Sequence, residues 1–196
     1  MIPYARHSIN ERDIELVVQA LRSSTISQGH WIEEFERRFA DRVNAKYAVA
    51  FSSGTAGLHA AILACGIRPG MRVATSPLTF VATANVIRYA GAEVELVDID
   101  AETLNMDLAM MGSDFDGVIA VHYAGLPLRL SELRARPRVI IEDAAHALGA
   151  MTPDGPVGNC RWSDVCCFSF HPAKAMTTGE GGMATQCQGL KPFRWV

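Results

Sequence analysis

The sequence predicts an α/β fold: a mostly parallel seven-stranded sheet with one antiparallel strand and helices on both faces. Three observations predict it. Short apolar runs alternate with amphipathic or Ala-rich stretches of helical character. Unusual polar residues gather just after the runs, on the rim where open α/β sheets bind ligands. The last two runs are joined by residues with no helical pattern, so the final strand needs no crossover and can return antiparallel.

The elements follow in order. Two helices come first, over 11–21 and 33–43. The first strand, 47–51, passes through Ser52-Ser53-Gly54-Thr55 into an Ala-rich helix at 56–64. The second, 72–75, is followed by Ser76-Pro77-Leu78-Thr79-Phe80 and an amphipathic helix at 81–89. Strands at 93–97 and 117–121 come next, the latter followed by His122-Tyr123-Ala124-Gly125. The strand at 138–141 runs into Glu142-Asp143, then Ala144-Ala145-His146. Residues 149–159 are rich in Gly and Pro and read as a surface loop. The strand at 164–168 leads into Ser169-Phe170-His171 and Lys174, and a strand at 182–185 closes the sheet. The remainder, QCQGLKPFRWV, carries no periodic pattern.

Composition narrows the function classes. The chain has 196 residues, 49% hydrophobic and 20% charged, with a net charge of −3. That suits one globular domain with a sizeable core rather than a disordered segment. It supplies no basic footprint for nucleic acid. No apolar run is long enough to cross a bilayer, and the start lacks the apolar segment of a signal peptide. The five cysteines, at 65, 160, 166, 167 and 187, form no CxxC and read as free thiols of a cytoplasmic protein. Metal-ligand spacing is absent.

Each polar group on the rim has two readings. Ser53-Gly54-Thr55 is either an ordinary helix N-cap or a phosphate site built from helix N-terminal amides. Neither GxGxxG nor GxxxxGK[ST] occurs. Asp143 either caps a following helix or meets a cation, such as a protonated pyridine nitrogen. His146 is either a structural histidine or part of a site. Phe80 is either core or a platform for a flat ligand. Lys174 is either a solvated loop lysine or a poorly hydrated, nucleophilic amine suited to a Schiff base. Together a phosphate-holding helix start, a flat aromatic, a half-buried carboxylate and a nucleophilic lysine are what a pyridoxal 5′-phosphate site requires.

The stretches SSGTAGLHAAI, SPLTFVATANVI, IIEDAAHALGA and SFHPAKAMTTGEGG resemble the DegT/DnrJ/EryC1/StrS sugar aminotransferases, as do IPYARHSINERDI and STISQG. The resemblance spans about residues 2–185. It implies the large domain of the aspartate aminotransferase fold type I. Residues 1–32 would be an N-terminal arm and helix, 33–185 the cofactor-binding domain, and 186–196 an aberrant tail where family members continue into a smaller C-terminal domain. A frameshift or early stop would account for such a tail.

The resemblance also implies roles. Lys174 would hold the cofactor's aldehyde and then act as general base. Asp143 would pair with the ring nitrogen, His146 would contact the phenolic oxygen, and Phe80 would stack on the ring. Gly54, Thr55 and Ser169 would hold the phosphate. Tyr4, Thr25, Ile26, Ser27, Gln28, Ala56 and Ser169 would lie against substrate. Relatives with histidine at the lysine position dehydrate instead, and Lys174 argues against that chemistry. The implied reaction passes an amino group from glutamate to C4 of a UDP-linked 4-keto-6-deoxy-N-acetyl-hexosamine, toward pseudaminic acid, in a homodimer. The alternative is an inactive remnant that binds at most the cofactor or a partner subunit.

Overall fold

Asn10 opens the first helix, α1 (Glu11–Arg22). Its side chain accepts the amides of Arg12 and Asp13, and the Asp13 carboxylate accepts the Asn10 amide in return. Helix α2 (His30–Val43) stops at Asn44, whose left-handed backbone (φ 56°) ends the helix. The structure, a computed structural model, describes residues 5–187.

The chain then alternates strand and helix: β1 (Tyr47–Phe51), α3 (Gly54–Ala64), β2 (Arg72–Thr75), α4 (Val81–Tyr89) and β3 (Glu93–Leu96). Beyond them come β4 (Gly117–Val121), β5 (Val139–Asp143), a small hairpin of β6 (Met151–Thr152) and β7 (Gly155–Pro156), then β8 (Val165–Ser169) and β9 (Gly182–Gln186). Seven strands form one sheet in the order β1-β9-β8-β5-β4-β2-β3. Strand β9 is antiparallel to both β1 and β8, and the remaining pairings are parallel. The reversal follows from the helix-free connection: the Phe170 amide donates to the Gly181 carbonyl at 2.9 Å, folding the chain straight back.

Two boundaries differ from the sequence expectation in ways that shape the site. Strand β5 continues through Glu142 and Asp143, because these residues pair with Ala120 and Val121 of β4. Helix α3 begins at Gly54, two residues ahead of the expected start, once the Ser53 hydroxyl has accepted the Ala56 amide. No helix follows Asp143. The Ala144 amide donates to the Cys167 carbonyl, and turns follow. Strand β9 runs on through Gln186, which pairs with Tyr47, so the sheet takes in the first residue of the expected tail.

Helices α3 and α4 cover one face of the sheet, where Leu58, Ile62, Val86 and Ile87 pack on Ile119, Ile141 and Cys167. On the other face Phe39 and Val43 of α2 pack on Phe168, Phe170 and Met183. Leu128 and Leu130 cover Val118, Ala120 and Ile140. Every residue of β4 and β5 is buried, as expected of central strands covered on both faces. All five cysteines are free thiols. Among the described residues no helix is long and apolar enough to cross a membrane.

Candidate active site

The start of α3 is pressed onto the end of β8. A Cβ on Gly54 would lie 2.9 Å from the Ser169 Cβ, and one on Gly182 would lie 2.4 Å from the Ser53 carbonyl carbon. Only glycine permits this approach, which brings the carboxyl ends of β1 and β8 together. The Ser53 hydroxyl takes the Ala56 amide, and the Ser53 carbonyl takes the Gly57 amide. The amides of Gly54 and Thr55 are left at the N-terminus of the helix, with its partial positive charge. The two sequence readings therefore coexist: Ser53 is the cap, and the next two amides are available to an anion.

These residues border a cavity of about 630 Å³, within the range of ligand pockets. Gly54, Thr55, Phe80, Asp143, His146, Ser169 and Lys174 all line it. Phe80 precedes α4 and is 73% exposed, so it belongs to the cavity wall and not to the core. Ala56 and the exposed residues Thr25, Ile26, Ser27 and Gln28 are not among the lining residues. Tyr4 lies outside the described residues, as do 188–196 of the expected tail.

Asp143 is buried at the end of β5. Its Oδ2 accepts the Thr83 hydroxyl at 2.7 Å, and its Oδ1 accepts the Ala145 amide at 3.2 Å. Thr83 in turn lies 2.8 Å from the Thr79 hydroxyl. Among the described residues no basic side chain hydrogen-bonds this carboxylate; Lys174, which lines the same cavity, interacts with it electrostatically. Lys174 Nζ is 2.5 Å from His146 Nε2. Burial pulls the Lys174 amine below the ordinary lysine value, and Asp143 partly opposes that. His146 is likewise pulled down, first by loss of solvent and then by the Lys174 charge, with Asp143 again opposing. A half-buried amine and an imidazole that both resist protonation can share one proton, so the pair is suited to nucleophilic attack and to proton transfer.

Two neighbours escaped the sequence reading. Thr83 sits inside a helix, within the stretch SPLTFVATANVI but with no role assigned to it there; its further signal is the spacing of Thr79 and Thr83, one turn apart at a helix start. The second is the pairing of His122 and Glu142, two rim residues to which the sequence reading gave no role, with Ser163; all three are buried, and His122 lines the cavity. His122 Nδ1 accepts the Leu128 amide at 2.9 Å, so its proton is on Nε2, which donates to Glu142 Oε2 at 2.7 Å. The Ser163 hydroxyl donates to the other Glu142 oxygen. The trio holds the end of β4 against β5 and so supports the position of Asp143.

The residues present fit a flat phosphorylated aldehyde. Two amides at a helix start and a serine hydroxyl suit the phosphate, a doubly held carboxylate suits a protonated ring nitrogen, and Lys174 suits the aldehyde. Among the described residues no group of three His, Cys, Asp or Glu side chains could hold a metal ion.

Residues 7–189 match the family model described as the DegT/DnrJ/EryC1/StrS aminotransferase family. The chain is 40% identical over 192 residues to a UDP-4-amino-4-deoxy-L-arabinose–oxoglutarate aminotransferase of Shewanella sediminis, covering 94% of this chain and 49% of the relative. It is 38% identical over the same length to the spore coat polysaccharide biosynthesis protein SpsC of Bacillus subtilis, with the same coverage of each. The chain thus spans about half the length of the curated relatives it matches. Among solved structures, the PLP-form of the sugar aminotransferase Spr1654 from Streptococcus pneumoniae superposes with a TM-score of 0.88 at 31% identity. That match covers 96% of this chain and 53% of the other.

Proposed function

The chain belongs to the DegT/DnrJ/EryC1/StrS aminotransferase family, and on that premise we propose that its cavity holds pyridoxal 5′-phosphate and serves amino transfer to a nucleotide-linked keto-sugar. The observation that carries this reading is the convergence of Asp143, Lys174 and the start of α3 on one cavity. The acceptor we assign is a UDP-linked 4-keto-6-deoxy-N-acetyl-hexosamine, aminated at C4 toward pseudaminic acid or a related sugar, with glutamate as donor. The motif resemblance supports it, as do the nucleotide-sugar and polysaccharide names of the relatives. The assignment of Tyr4, Thr25, Ile26, Ser27, Gln28 and Ala56 to the substrate, and of a homodimer to the whole protein, rests on family likeness. Five free thiols support a reducing, cytoplasmic setting.

When bound, the cofactor supplies a ring that takes up the electron pair left as a C–H proton departs. The chain's residues do the rest. The Gly54 and Thr55 amides and the Ser169 hydroxyl bind the phosphate. Phe80 lies against the ring and shields it from water. Asp143 keeps a proton on the ring nitrogen. His146 contacts the phenolic oxygen and accepts a hydrogen bond from Lys174. The amine of Lys174 would hold the aldehyde and, when free of it, would carry a proton at its Nζ.

The test starts with the purified chain and added pyridoxal phosphate. The expected results are a visible absorbance band and borohydride trapping of the cofactor on Lys174, both absent in Lys174→Ala. Glutamate should then convert the bound cofactor to its amine form, which should aminate the keto-sugar at C4, read by mass spectrometry and NMR. Absence of trapping in folded protein overturns the cofactor assignment. Trapping without conversion by glutamate restricts the chain to cofactor binding. Amination of a different keto-sugar replaces the assigned acceptor.

A further inference from the structure

We infer that Thr83 is a positioning residue for Asp143, the second link of a directed hydroxyl relay that runs Thr79 to Thr83 to Asp143. This rests on the reading of the cavity as a pyridoxal phosphate site.

The direction of the relay follows from proton counting. An ionised carboxylate carries no proton, so at the 2.7 Å contact the Thr83 hydroxyl must be the donor. A hydroxyl has one proton, and that of Thr83 is committed. At the 2.8 Å contact Thr79 must therefore donate to Thr83. The Ala145 amide supplies the other carboxylate oxygen at 3.2 Å. Each oxygen thus receives one donor from the chain and keeps a further lone pair for a ligand. Two donors on opposite oxygens also fix the plane of the carboxylate.

The placement of Thr83 is hard to explain by packing alone. It is wholly buried, in a helix whose other buried members are Ala82, Val86 and Ile87. Valine has nearly the same shape and would fill the site without a hydroxyl to satisfy. A buried hydroxyl needs partners, and the acceptor that takes its proton is the cavity carboxylate. Thr79, one turn earlier, is half-buried and lines the cavity, so the relay reaches the ligand's space. A carboxylate whose orientation and charge are held by charge-assisted donation meets a protonated ring nitrogen better than a free one does.

The experiment compares the wild type with Thr83→Val, Thr83→Ser and Thr79→Val, using pyridoxal phosphate as the probe. Affinity is read by absorbance titration, and the absorbance of the loaded protein is followed against pH. Thr83→Val should weaken pyridoxal phosphate about tenfold and shift the pH profile of the bound chromophore, while Thr83→Ser restores both. Thr79→Val should give a smaller loss, about threefold, in the same direction. The relay is overturned if Thr83→Val matches the wild type in affinity and pH profile, or if serine fails to rescue. Should Thr83→Val not fold, Thr79→Val decides: an unchanged affinity and profile rejects the relay. Failure of the wild type itself to bind pyridoxal phosphate rejects the underlying reading of the cavity, and the relay with it.

Discussion

Lys174 has its proton balance set by two opposing neighbourhood effects. Burial lowers its affinity for a proton, and the Asp143 charge raises it. In the fold Lys174 therefore loses its proton below the ordinary value of about 10.4. Between the folded value and that of the unfolded chain, the unfolded state binds more protons, so stability rises with pH across that window. Below that window both states hold the proton, and the penalty of burying the charged amine is fully present. Removing the Asp143 charge should deepen the shift. In Asp143→Asn the midpoint for trinitrophenylation of Lys174, read by peptide mass spectrometry against pH, is expected to fall; a rise would show that the carboxylate does not act on the amine. Phe80 gives a second residue-scale test. Because Phe80 is 73% exposed, Phe80→Ala should change unfolding free energy by less than about 0.5 kcal/mol. It should nevertheless weaken pyridoxal phosphate several-fold in the titration. A large loss of stability with unchanged binding would make Phe80 a packing residue.

The junction of α3 with β8 and β9 governs the shape of the phosphate end. Three glycines near it should respond differently, because the space at each differs. Gly182→Ala places a methyl 2.4 Å from the Ser53 carbonyl, where backbone must move. Gly54→Ala meets the Ser169 Cβ at 2.9 Å. Gly57, further along α3, has nothing closer than 3.5 Å. Urea unfolding is expected to rank Gly182→Ala as the most damaging, with Gly54→Ala at about 1–3 kcal/mol. Gly57→Ala should be neutral or stabilising by up to about 1 kcal/mol, since alanine favours helix. Equal losses at all three positions would mean that the close approach is not what holds the junction. Sequence alone marks these positions as glycines in a resemblance motif. The 2.4 Å constraint arises because β9 returns antiparallel against the start of α3.

Across the whole molecule, the exposed face of α1 stands out. None of its residues is buried, yet Ile14, Val17, Val18 and Leu21 form one apolar stripe, exposed by 47%, 59%, 36% and 67%. Residues three and four apart share a helix face, so the stripe is continuous. Such a surface favours association. Sedimentation velocity should show concentration-dependent self-association of the chain. Val17→Glu combined with Leu21→Glu should reduce it without lowering the melting temperature, because neither side chain is buried. Association that survives the double substitution would move the contact elsewhere on the surface.

Much of this protein is legible along the chain. Alternating apolar runs specify the strand and helix order, and turn residues after each run mark the ligand-bearing rim. Gly54, Thr55, Phe80, Asp143, His146, Ser169 and Lys174, which line one cavity, could each be singled out there because the stretches that hold them are local. Side-chain direction repeats every two or 3.6 residues, so a local window carries that information. Pairing between distant segments has no such repeat. The insertion of β9 between β1 and β8, the meeting of Lys174 with His146, and the bond from Thr83 to Asp143 across 60 residues of sequence were decided only by tertiary packing. The hydroxyl of Thr83 looks like any helical threonine until the fold places a carboxylate against it.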